Sequence, residues 1–180
     1  MEFLPKTIAY EGKTYSIHHL HPTNWVLKLS CGKEIKAFIQ FRSHCYTDSK
    51  PPASREALLL YDLDGNARYF CTKRYRLSRR LKSWFLNWSG EICFLSPTER
   101  GHQHWIVVES DEGEQVKVVF KITPNIKDDE GVMIVVKTVH AYEWTKPPIY
   151  PDDDHLPFSV LVKGTAERQK PVPRKNRGGV

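Results

Sequence analysis

From Glu91 onward this chain is a series of apolar, β-branched runs cut by turn clusters, and such a series folds most readily as an antiparallel sheet. Gln103 to Glu109 and Gln115 to Ile122 flank Ser110-Asp111-Glu112-Gly113-Glu114, a hairpin signal. Val132 to Ala141 is the most β-branched run and is expected to be a central strand. Glu91 to Leu95 reads as a short strand ended by Pro97, and Phe158 to Val162 as a last short strand. Earlier in the chain, Thr7 to Tyr10 and Lys13 to Ile17 form a hairpin around Glu11-Gly12. Trp25 to Leu29 and Ile35 to Phe41 alternate across the Cys31-Gly32-Lys33 turn. Ala57 to Tyr61 and Arg68 to Thr72 flank a second turn cluster, Asp62 to Asn66, with a helix over Arg55 to Tyr61 as the competing reading.

Against this background one segment has helical spacing. Leu81, Trp84, Phe85 and Trp88 fall at i, i+3, i+4 and i+7, with Ser78 as a candidate N-cap, a start nearer Lys73 as the alternative, and Ser89-Gly90 as the stop. The expectation is therefore an α+β fold: a largely antiparallel sheet with one main amphipathic basic helix. A single domain is expected over residues 1–163, with a disordered basic tail over 164–180, because the tail is rich in Pro, Gly and cations and has no apolar period.

The net charge of +6 is unevenly placed. Lys73 to Lys82 holds six cations and no acid, and Glu167 to Val180 is at +4, which leaves the remainder at −4. Basic residues interleaved with aromatic rings suit RNA or DNA, since Arg meets phosphate and Tyr stacks on bases. Arg68, Lys73, Tyr75, Arg76, Arg79, Arg80 and Lys82 are accordingly the candidate nucleic-acid contacts. An acidic protein, such as an antitoxin or a host protein, is the other partner that this surface fits.

Chemistry-bearing residues gather at two further places. Phe41 to Thr47 ends an apolar strand with polar groups that include His44 and Cys45; neighbours on a strand point to opposite faces, so one is expected in the core and the other toward solvent or a site. His140 and Tyr142 share a face near the end of the strongest strand, in the group His140 to Trp144. Convergence of His44, Arg74, His140 and Tyr142 would supply a base, an acid and a cation for cleaving RNA without a metal. No cofactor is expected, because neither a glycine-rich dinucleotide pattern nor a Walker pattern occurs. The four cysteines have no CxxC spacing and are expected to be buried thiols, and His18, His19, His21, His102 and His104 are expected at the surface or in turns rather than on a metal. With no export signal and no long apolar run, a soluble cytoplasmic protein is expected, with no membrane partner.

SHCYTDS at Ser43 to Ser49, RYFCTKRYRLS at Arg68 to Ser78 and VKTVHAYE at Val136 to Glu143 together resemble a group of uncharacterised proteins of bacterial genomes and mobile elements. That resemblance implies no activity. A basic helix followed by an antiparallel meander is similar, in fold alone, to the RelE/barnase group of small ribonucleases, which includes toxins of toxin–antitoxin systems. It implies a metal-independent endoribonuclease. The competing expectation is a non-catalytic interaction module of a mobile element, binding nucleic acid or an acidic host protein.

Overall fold

The computed structural model describes residues 4–52, 57–98, 101–128, 130–142 and 155–169, and the side chains of 96–98 and 101–102 are not described. Its elements assemble on a seven-stranded sheet. The strands are β1 (Thr7–Tyr10), β2 (Lys13–Ser16), β3 (Thr23–Lys28), β4 (Glu34–Phe41), β5 (Thr47–Asp48), β6 (Leu59–Tyr61), β7 (Ala67–Phe70), β8 (Ile92–Thr98), β9 (Gly101–Glu109), β10 (Gln115–Pro124), β11 (Val132–Ala141) and β12 (His155–Pro157). The helices are α1 (Thr72–Ser78), α2 (Leu81–Asn87) and α3 (Phe158–Ala166). The large sheet runs β12-β8-β9-β10-β11-β4-β3, β1 and β2 pair alone, and β5-β7-β6 is a small third sheet. Every pair in the large sheet is antiparallel except β11 with β4, which run parallel.

The hairpins form where the turn residues allow positive φ. Glu11 and Gly12 sit at 49° and 69°, the pair of left-handed residues that a two-residue hairpin turn needs. Gly113 takes 74° in the β9–β10 turn, where the Ser110 hydroxyl also accepts from the Glu112 and Glu114 amides. β6 and β7 pair around Asp62 to Asn66, so a hairpin and not a helix holds the 59–70 region.

One face of the large sheet is covered by α2 and α3. Phe85 of α2 is the centre of the contact, with ring centroids 5.9 Å from Trp25, 4.1 Å from Trp88, 5.7 Å from Phe120 and 5.9 Å from Phe158. The helical stripe therefore does what its spacing implies: Leu81, Phe85 and Trp88 are buried. A second aromatic group ties the β1–β2 hairpin to α1, with Phe70 at 5.2 Å from Tyr10, 4.9 Å from Tyr15 and 6.0 Å from Tyr75.

Six expectations need correction. His104 is buried within β9, not at the surface or in a turn. Phe158 to Val162 is not a strand: it opens α3, because Phe158, Leu161, Val162 and Ala166 are buried at helical spacing. A short continuous apolar run fits either element, and only His155–Pro157 pairs as a strand, with β8. The same helix crosses the expected boundary at 163/164, while residues 170–180 of the tail lie outside the described residues. Ser78 does not cap the helix. The first turn begins at Thr72, and Ser78 ends α1, buried, donating to the Tyr75 carbonyl at 2.7 Å. β8 continues past Pro97 to Thr98, where among the described residues only β9 pairs with it, so a missing amide donor costs nothing on the open side. Cys31 is exposed in the β3–β4 turn, whereas Cys45 and Cys93 are buried and Cys71 is half-buried; all four thiols are free, and burial pushes the Cys93 thiol up. Among the described residues no helix is long and apolar enough to cross a membrane.

Candidate functional site

Strand alternation places Trp105, Val119 and Thr138 in one cross-strand row, and Val107, Lys117 and His140 in the next, all on the face opposite Phe120. α1 packs against this end of β11 and lays Arg74 across it. The Arg74 guanidinium donates to the His44 carbonyl at 3.3 Å and to Thr138 Oγ1 at 3.0 Å, and pairs with Asp48 Oδ2 at 2.8 Å. Its side chain is only 18% exposed, so these partners carry more weight than a surface ion pair would. Burial opposes ionisation of Asp48, but the Lys50 amide and the Arg74 charge hold its carboxyl below the ordinary range.

His140 stands beside this cluster. Burial, then the positive charges of Arg74 and Lys117, lower its pKa, against a weaker opposite pull from Asp48. The ring is therefore neutral at neutral pH, and its Nδ1 is buried with no hydrogen-bond partner. Lys117 lies directly across from it on β10, with Nζ 4.1 Å above the Trp105 ring and 5.3 Å from the Tyr142 ring. Tyr142 continues the ladder by donating its amide to the Gln115 carbonyl at 2.7 Å.

His44 behaves differently. It lies in a single 3-10 turn, Ser43–Cys45, in which Cys45 is fully buried and His44 is part-exposed. The expected division between core and surface is present, but a turn makes it rather than a strand. Its backbone belongs to the Arg74 cluster, whereas its ring points to Asp62, with Nε2 3.1 Å from Oδ2. Burial would raise the Asp62 pKa, yet hydrogen bonds from the Asn66 backbone, His44, the Asn66 side chain and the Asp64 amide bring it down to about 2. The carboxylate is thus ionised, the proton between the two groups sits on Nε2, and the ring is held in one orientation. The structure brings Arg74, His140, Lys117 and Tyr142 to one face, and turns the His44 imidazole toward its own carboxylate.

The candidate nucleic-acid contacts divide sharply. Lys73 pairs with Glu114, Arg76 with Glu112 at 3.7 Å, and Arg80 with Asp111 at 2.8 Å, all on the tip of the β9–β10 hairpin. Arg68 is buried and donates to Thr47 Oγ1 and to the Thr47 carbonyl, both at 3.3 Å. Tyr75 is packed edge-on to Tyr15 and His19, with its hydroxyl on the Ser16 carbonyl at 3.2 Å. Arg79 and Lys82 are exposed and line a groove beside His18, His19 and His21. Among the described residues no set of three or more His, Cys, Asp or Glu side chains is placed to hold a metal ion.

Sequence reasoning missed Asp48, Asp62, Thr138 and Lys117. For Asp48 and Thr138 no local pattern marks a role, since each matters only because α1 crosses the end of the sheet. Lys117 did carry a signal, a lone cation between Val116 and Val118 on a strand with two apolar flanks. Asp62 was hidden inside an ordinary turn cluster. Glu143 and Trp144 of the third group lie outside the described residues.

The YjaZ family model matches residues 7–166, and the chain belongs to that family. The match spans all three segments on which the bacterial resemblance rests; it does not bear on the short pattern itself or on the likeness to RelE/barnase ribonucleases. No curated protein and no solved structure matches the chain.

Proposed function

We propose that this member of the YjaZ family acts on RNA at the Arg74–His140 face, cleaving the strand by transphosphorylation. The observation that carries the reading is His140: a neutral, half-buried imidazole set beside two cations, whose buried Nδ1 leaves Nε2 as the nitrogen for a substrate. In the reaction His140 takes the proton of a ribose 2′-hydroxyl, and O2′ attacks the adjacent phosphorus. The P–O5′ bond breaks, and O5′ receives a proton from the Tyr142 phenol. Arg74 and Lys117 meet the negative charge that grows on the phosphorane oxygens. The products are a 2′,3′-cyclic phosphate and a 5′-hydroxyl, and proton exchange with water restores His140 and Tyr142.

A depressed pKa makes His140 a weaker base but keeps it unprotonated to lower pH, so the pH of half-maximal rate should fall below the ordinary histidine value of about 6.5. Incubation of a short single-stranded RNA with the purified chain, followed by separation of the products, tests the reading. Cyclic-phosphate ends from wild type and a loss of at least ~100-fold in His140→Ala are expected. Intact RNA, or equal cleavage by both proteins, would overturn it. Binding without cleavage, equal in both, would instead support the non-catalytic interaction module.

A further inference from the structure

A groove of about 400 Å³ opens between the 3-10 turn His18–Leu20, the start of β3 and the junction of α1 with α2. Among the described residues its ionisable lining consists of His18, His19, His21, Arg79 and Lys82, with no Asp or Glu. Arg79 and Lys82 are exposed, and no carboxylate meets either of them among the described residues. The two cations stand three residues apart, a spacing that puts both on one side of a helical segment.

The wall behind them is built rather than loose. Ser78 gives its own proton to the Tyr75 carbonyl, so its oxygen accepts from His19 Nε2 at 2.8 Å. His21 Nε2 donates to the Pro5 carbonyl at 3.3 Å, and the His18 ring lies 5.3 Å from that of His21. Burial and the charge of Arg79 push the His19 pKa down to about 4, so the field of Arg79 reaches into the groove without a counter-charge. The buried indole of Trp25 also contributes to the lining.

We propose that this groove binds a phosphate-bearing small molecule of nucleotide size. The phosphate sits on Arg79 and Lys82, and the planar base stacks on one of the His18 and His21 rings, which are tilted 54° to each other. Arg presents a fork that matches phosphate geometry, Lys adds a point charge, and imidazole rings offer a stacking surface for a base. The volume lies at the low end of ordinary small-molecule sites, about 300–1,000 Å³. None of the residues assigned to cleavage takes part, so the site stands whether or not the chain cuts RNA.

Titration calorimetry on the full chain with adenosine 5′-monophosphate, adenosine and inorganic phosphate provides the test. Saturable binding of the monophosphate is expected, with adenosine weaker by at least ~10-fold. Arg79→Gln combined with Lys82→Gln should weaken the monophosphate by at least ~10-fold. The matched pair Arg76→Gln and Arg80→Gln should leave it within about 2-fold, because those cations already face carboxylates. All four positions are exposed, so both double variants should stay folded, with melting temperatures within about 3 °C of wild type. A 5′-phosphorylated RNA tetramer that binds as well as the monophosphate identifies a strand end as the source, and monophosphate binding alone identifies a free nucleotide. No binding of the monophosphate at ~10 mM, or equal binding by the two double variants, overturns the proposal.

Discussion

Two sets of cations share the segment from Lys73 to Lys82 and meet different fates. Lys73, Arg76 and Arg80 face the acidic tip of the β9–β10 hairpin and are matched there, one carboxylate to each. Arg79 and Lys82 face the histidine turn and remain unmatched among the described residues. Neighbours in sequence are therefore unequal in the field they offer to a ligand. The six positive charges of this stretch act locally as far fewer, because a potential sums over space rather than along a chain. Arg74 is a third case, since it is both paired and largely covered.

The comparison can be strained hardest at Arg74. Arg74→Met should cost about 3 kcal/mol, since it strands Asp48, the His44 carbonyl and Thr138 Oγ1 at once. Denaturant unfolding checks this, and a cost below ~1 kcal/mol would place Arg74 among the surface pairs. The same variant removes a charge that depresses His140, whose imidazole should titrate at higher pH by NMR.

His19 provides the next test. Its folded pKa of about 4 lies below the unfolded value, so the unfolded chain takes up the proton first as the pH falls. Stability is full above about 6.5 and is lost between there and about 4, by about 2 kcal/mol after allowance for partial exposure. His140 works in the same direction, whereas Asp62 holds its contribution until pH falls from the ordinary 3.8 toward 2. His19→Gln should flatten the unfolding curve across pH 6.5 to 4, and an unchanged slope would remove His19 from the account.

A milder perturbation neutralises the hairpin tip. Asp111→Asn, Glu112→Gln and Glu114→Gln together expose the matched row, and RNA affinity at low salt should rise about 10-fold with a steeper salt dependence. Filter binding over a salt series decides it; identical slopes would mean that the tip does not screen the row. Smallest of all is Arg80→Gln, an exposed pair worth about 0.5 kcal/mol or less in the same unfolding assay.

What could be read in advance follows from the range of the interactions. Hairpins at Glu11-Gly12 and Ser110 to Glu114 were legible because a turn declares itself within five residues. So was the Leu81–Trp88 stripe, whose period is local. α3 was not, because five apolar or small residues in a row erase the period that separates helix from strand. The matched row was illegible in principle, since its carboxylates come from a hairpin about thirty to forty residues later and meet α1 and Arg80 only through the tertiary fold. The same holds for Asp48 and Thr138 around Arg74. That His140 and Tyr142 share a face was legible from strand alternation, but the direction of the His140 shift depends on Arg74 and on burial.

The single parallel joint in the large sheet sets how this chain must be assembled in time. β11 pairs with β4 from Val132 beside Ala37 to Val136 beside Phe41, and the Arg42 amide adds a bond to the Val136 carbonyl. All other pairings in that sheet can zip from a nearby turn or wait at an edge, whereas this one needs the two distant halves to find each other first. The entropy of closing so long a loop is spent before any bond along the seam forms. Folding should therefore be limited by this meeting, and the turn that carries Cys45 and His44 can take its final shape only after the seam has closed.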